Sequence, residues 1–268
     1  MSATALARPA VDLTGARITA AGLLRSEWTK LWSVRSLRLT LATAFVLLLG
    51  LSTYVVVEGR MLSGEVSEIP FSFTGVYPVG MLALVVLGVL AMAGEYAAGT
   101  IRTSLVAAPG RTGVVVAKAA VLVGVTTALG VLSSVLLYGL VQVTGTVPAA
   151  QGMSLLDPAM LGGVVGSTLM LPFGALFGVV LGLLVRSAAG AVTLYFTVFQ
   201  MGPQVFPVLL PEPLAGVVDY MPLQAMDVVR TAGLSGEAYG VGTGVVVLAA
   251  WILVLGGAAW WLLRSRDV

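Results

Sequence analysis

Six long apolar runs divide this chain, and they constrain its fold more than any other feature. They cover 39–57, 73–94, 114–141, 158–185, 188–210 and 238–263, and Lys118 is the one charge inside any of them. A helix needs about 20 apolar residues to cross roughly 30 Å of hydrocarbon. A charge at its centre costs about 2.5–3.5 kcal/mol on insertion. Strands of a membrane barrel are about ten residues long and alternate in polarity; these runs are far longer and apolar all round. Helices also satisfy their own backbone hydrogen bonds in lipid. The expected fold is an all-α membrane protein with six transmembrane helices. Composition agrees, since 58% of the residues are hydrophobic and 10% charged, against about 25% charged in a soluble domain.

Charge sets the expected orientation. Arg8, Arg17, Arg25, Lys30, Arg35 and Arg38 precede the first run. Arg102, Arg111 and Lys118 follow the second, Arg186 follows the fourth, and Arg264 and Arg266 follow the sixth. With six crossings, every basic residue except Arg60 and Arg230 falls on one side, which the positive-inside rule makes cytoplasmic. Glu58, Glu65, Glu68, Asp157, Glu212, Asp219, Asp227 and Glu237 fall on the other. Both termini are then cytoplasmic. Residues 1–38 form a cytoplasmic N-terminal segment and 39–268 the membrane domain. The first apolar run is too long for a signal core and lacks a small-residue cleavage site, so the expectation is insertion without cleavage.

Four features invite functional readings. Within 23–37, Leu24, Trp28 and Leu31 share helical spacing, with Leu23 and Trp32 beside them and Ser26 as the expected cap. An amphipathic helix of this kind lies flat on the inner leaflet; equally, it is a generic membrane anchor. The segment 95–111 is the one cytoplasmic connection long enough to reach a soluble partner. Thr100 can cap a short helix from Ile101 that Pro109 and Gly110 end, with Arg102 and Thr103 facing the cytosol. A plain positive-inside loop fits the same spacing. Gly162, Gly166, Gly174, Gly178 and Gly182 repeat at multiples of four, a stripe for close helix approach. Tyr195, Phe196, Phe199 and Gln200 are pathway candidates in the fifth run. Its end is the least defined boundary, because Pro203, Pro207, Pro211 and Pro213 crowd it. Residues 206–236 read either as an ordinary outer loop or as short helices dipping into the outer leaflet.

Chemistry is restricted. The chain holds no cysteine and no histidine, which excludes disulfides, thiolate catalysis and the common zinc sites. No catalytic or metal-ligating set is expected, and no nucleic-acid partner. A P-loop requires a Gly-Lys pair, whereas Lys30 follows Thr29 and Lys118 follows Ala117. Ion-coupled carriers usually place ionisable groups in mid-membrane, and the centres of these runs have none.

Arg25-Ser26-Glu27-Trp28-Thr29-Lys30-Leu31, followed by Ser33-Val34-Arg35-Ser36, resembles the N-terminal signature of ABC-2-type exporter permeases, especially actinobacterial ones. Gly94-Glu95-Tyr96, Gly99-Thr100-Ile101-Arg102-Thr103-Ser104-Leu105 and Ala117-Lys118-Ala119 resemble that family's segment between its second and third spans. Ala97 departs from it, since relatives often carry a larger or charged residue there. The resemblance implies a permease subunit in the bacterial plasma membrane, itself no enzyme. It implies an elbow helix carrying Glu27, Trp28, Lys30, Leu31 and Trp32. It also implies a coupling segment (Glu95, Thr100, Ile101, Arg102, Thr103, Arg111) that docks on a cytosolic ABC ATPase. The assembly would be two permeases, as a homodimer, with two ATPases, and ATP and magnesium would bind the ATPase only. The mechanism implied is alternating access, with a pathway between the copies lined partly by spans two and five. Cargo would be apolar or amphipathic: a drug, antibiotic, peptide or lipid, with efflux and antibiotic resistance as roles. The alternative is a non-transporting membrane sensor, scaffold or immunity protein that holds a cytosolic partner.

Overall fold

The computed structural model describes residues 19–57, 77–99, 112–145, 150–231 and 238–265, and every regular element among them is helical. Helix α1 (Ala20–Ser33) begins at Thr19, whose hydroxyl accepts from the Gly22 N–H at 3.1 Å. That side chain supplies the N-cap, one turn and more before Ser26, which lies inside the helix. A single extended residue, Val34, separates α1 from α2 (Arg35–Val57) and makes the elbow. Helix α3 (Tyr77–Ala97), α4 (Thr112–Thr144) and α5 (Pro158–Val185) follow. Five helical stretches are long and apolar enough to cross a membrane: Arg35–Tyr54, Val79–Ala97, Thr112–Thr144, Met160–Val185 and Val241–Ser265. The last belongs to the final helix, α10 (Val241–Ser265).

The fifth apolar run is wound differently. Helix α6 (Ala188–Leu194) passes directly into a π-helical turn (Tyr195–Met201) and then into α7 (Gly202–Leu209). Leu194 and Met201 at the junctions keep right-handed helical dihedrals, so the backbone is continuous. Wide turns and prolines are the usual sites of helix bending, and Pro203 and Pro207 sit just beyond this one. The proline-rich outer stretch then folds as short helices, α8 (Glu212–Ala215), a 3-10 turn (Val218–Tyr220) and α9 (Pro222–Arg230). Ala225, Met226, Val228 and Val229 of α9 are buried, and α9 packs on α5 and α10, so this stretch is helical and packed on the bundle.

Helix α5 is the centre of the bundle and touches α3, α4, α6, α9 and α10. Its partner α3 is the closest. A Cβ on Gly88 would sit 2.0 Å from the Ala175 carbonyl, and one on Gly178 would sit 2.1 Å from the Val85 carbonyl. The two backbones therefore meet without side chains between them, the close packing that small residues permit in membranes. Gly174 opposes Met81, and Gly182 opposes Val89 and Met92. Gly166 opposes the Val229 carbonyl of α9, and Gly162 is half-buried. Most of the glycine stripe is thus occupied by helices of the same chain. Arg186 ends α5 in a left-handed conformation (φ 58°). Its guanidinium lies 5.2 Å from the Tyr96 ring and donates to the Leu262 carbonyl at 3.3 Å. These contacts gather the ends of α3, α5 and α10 on one side of the molecule.

Candidate functional site

Four charged side chains meet at that same end. Glu27 comes from the middle of α1, Lys30 from its last turn, Glu95 from the end of α3 and Lys118 from the second turn of α4. Lys30 Nζ donates to Glu27 Oε1 at 2.6 Å and to Glu95 Oε1 at 2.8 Å. Lys118 Nζ donates to Glu27 Oε2 at 2.6 Å and to Glu95 Oε1 at 2.9 Å. Each lysine touches both glutamates, so the four form a closed, electrically neutral ring. Lys30 and Lys118 are the only lysines in the chain.

The ring is largely hidden from solvent. Side-chain exposure is 4% for Lys118, 5% for Glu27 and 11% for Glu95, against 33% for Lys30. Burial alone draws the Lys30 pKa down, but hydrogen bonds and charge from Glu27 and Glu95 outweigh it and hold the pKa above the ordinary lysine value. Charges taken out of water cost several kcal/mol each unless they are paired in good geometry. Here each is paired twice.

Local folding explains the positions. Glu27 and Leu31 are four residues apart and form the buried row of α1, packed toward α4. Leu24, Trp28 and Trp32 form the neighbouring row and stay exposed, and the two indoles meet edge-on with centroids 5.7 Å apart. Trp28 and Leu31, expected on one face, are helical neighbours three residues apart, but Leu31 is buried and Trp28 exposed. Lys30, expected to point away from the helix's apolar side, turns inward to Glu95. Beside the ring lies a cavity of about 370 Å³ between α1, α2, α3 and α4. Its apolar wall includes Leu31, Leu37, Leu90 and Leu122, and all four ring residues line it.

Of the coupling residues, Glu95 is in the ring, while Thr100, Ile101, Arg102, Thr103 and Arg111 lie outside the described residues. Glu95, the first residue of that segment, and Lys118, which follows it in α4, are both held in the ring. The roles of Glu27 and Lys118 were missed in the sequence. The available signal was the scarcity of lysine, with Lys118 the one charge inside an apolar run and so in need of a partner.

The pathway candidates divide. Tyr195, Phe199 and Gln200 are buried in the bundle, whereas Phe196 is exposed. Phe199 packs edge-on to Phe177 at 5.0 Å and to Trp251 at 5.5 Å between ring centroids. Phe173 stacks on Phe177, and Tyr195 also meets Phe177, so one aromatic cluster links α5, the π turn and α10. Gln200 Oε1 is buried without a hydrogen-bond partner among the described residues.

No protein-family model matches this sequence, and a comparison with curated proteins finds no match.

Proposed function

We propose that this chain is the membrane-spanning permease subunit of an ATP-driven exporter of the ABC-2 type it resembles. In this reading it crosses the bacterial plasma membrane six times, with both termini in the cytoplasm. Two copies would pair with two cytosolic ATPases. The observation that carries the proposal is the four-charge ring. It joins the three segments on which the resemblance rests (25–36, 94–105 and 117–119) at one point in space.

The ring has a mechanical use. Glu95 and Lys118, on α3 and α4 either side of this segment, bond to Lys30 and Glu27 of α1, and α1 passes into α2 through one extended residue. A push on this segment by a partner would therefore move the elbow and the first span with it. Stability alone does not call for charges here, because a well-packed apolar joint often serves as well or better. Helix α4 has 33 residues, about 50 Å at 1.5 Å per residue, well beyond the roughly 30 Å of hydrocarbon. Its first turns, with Lys118, would emerge on the cytoplasmic side. The π turn and the prolines after it supply a bendable fifth span for alternating access.

Arg102→Glu tests the coupling assignment. The expected outcome is a folded permease whose partner still hydrolyses ATP but whose transport falls at least tenfold, about 1.4 kcal/mol of coupling. Undiminished transport would remove Arg102 from the coupling role. A partner lacking a P-loop would favour a scaffold or immunity function instead.

A further inference from the structure

The cavity beside the ring has the form of an amphiphile site. One side is apolar, with Leu31, Leu37, Leu90 and Leu122, and the other carries two ammonium and two carboxylate groups. A volume of about 370 Å³ falls within the range of small-molecule pockets. An ammonium has three N–H donors. Lys30 commits two of them, to Glu27 and Glu95, and its side chain is one-third exposed. A third donor therefore remains for an anion at the cavity edge. Glu27 and Glu95 lie a few ångströms from that ammonium and favour a cation next to the anion. Because the ring is neutral overall, it matches a headgroup that carries both signs better than one with a net negative charge.

The surroundings place this chemistry at headgroup depth. Leu24, Trp28 and Trp32 form the exposed row of α1, and tryptophans on an amphipathic helix settle at the boundary between headgroups and acyl chains. We propose that the cavity between α1, α2, α3 and α4 binds an inner-leaflet phospholipid with a primary-amine headgroup. Its phosphate accepts from Lys30, its ammonium donates to the Glu27 and Glu95 carboxylates, and its glycerol and upper acyl carbons lie along Leu37 and Leu90. The inference rests on the membrane placement proposed above and not on the ATPase partner. Lipid in this position would brace the elbow against α3, so the membrane's amine-lipid content would tune how firmly the ring joins those elements.

The test uses the full chain in mild detergent, with matched-chain phosphatidylethanolamine, phosphatidylglycerol or phosphatidylcholine at equal concentration, and bound lipid scored by native mass spectrometry. Phosphatidylethanolamine should bind about tenfold more tightly than phosphatidylcholine, whose quaternary amine cannot donate charge-assisted hydrogen bonds. Lys30→Gln, which removes the donor to the phosphate, should weaken phosphatidylethanolamine binding about tenfold. Ser36→Trp, at an exposed residue lining the cavity, should block binding while leaving the four charges untouched. Equal binding of the three lipids, a preference for phosphatidylglycerol, or phosphatidylethanolamine binding unchanged in both variants would overturn the proposal. The assay contains no ATPase, so a negative result here leaves the transport reading standing, and a missing ATPase partner leaves this site standing.

Discussion

Lys30 and Lys118 share the same two carboxylates yet differ in burial, and that difference predicts unequal consequences. Lys118 is 4% exposed and Lys30 33% exposed. Lys118→Gln leaves two buried carboxylates sharing the single ammonium of Lys30 and should cost about 3–5 kcal/mol. Lys30→Gln should cost about 1 kcal/mol, because its own ammonium is one-third exposed and both glutamates keep Lys118. Thermal unfolding of the two variants in detergent would show the larger drop for Lys118→Gln. The pH dependence follows from the raised pKa of Lys30. The folded protein holds this proton more tightly than the unfolded chain, so its stabilisation is complete below the ordinary lysine value of 10.5. It is lost as pH rises through the higher folded value. The wild type should therefore lose stability at strongly alkaline pH, with a smaller loss in Lys30→Gln. Little of this was legible in the sequence. An acid inside an amphipathic helix reads as solvent-facing, and only the α1–α4 contact reveals that Glu27 sits one turn from Leu31 on the buried row.

At the scale of elements, the apolar runs were readable because charges bound them. The fourth run, 158–185, has the bounds of α5 as seen, since Asp157 and Arg186 close it on either side. The second extends past its expected end to Ala97, carrying Glu95 into the helix where pairing with two lysines removes the usual penalty for a charge. Winding was not readable. A π turn differs from an α turn in backbone hydrogen bonds, and hydropathy carries no mark of that. The start of α1 moved to Thr19 because Ala20, Ala21 and Gly22 show no amphipathic period, although a threonine cap organises them. The glycine stripe was visible as a pattern, but which helix it met was not. Its role gives a clean comparison. Gly178→Ala places a methyl group 2.1 Å from the Val85 carbonyl and should destabilise by about 1–3 kcal/mol. Gly124→Ala meets nothing within 4 Å and should stay within about 1 kcal/mol of wild type. Unfolding midpoints in one detergent decide between them.

Over the whole molecule, the contacts of Arg186, Glu95 and Lys118 bring the ends of α3, α4, α5 and α10 together. The chain has no cysteine, so single cysteines introduce no background. In sealed cells, a membrane-impermeant thiol reagent should label Gly216→Cys and spare Ala98→Cys; the reverse would invert the topology. The central claim is that this end of the protein receives work from an ATPase. Its most direct measurement is purification of a tagged chain in mild detergent, followed by ATP-hydrolysis assay and identification of whatever remains bound. The account predicts a P-loop ATPase in equal stoichiometry, retained by the wild type and released when the ring is broken by Lys118→Gln under conditions where the helices stay folded. A chain that purifies alone in active membranes, or that holds a partner without a P-loop, would contradict it.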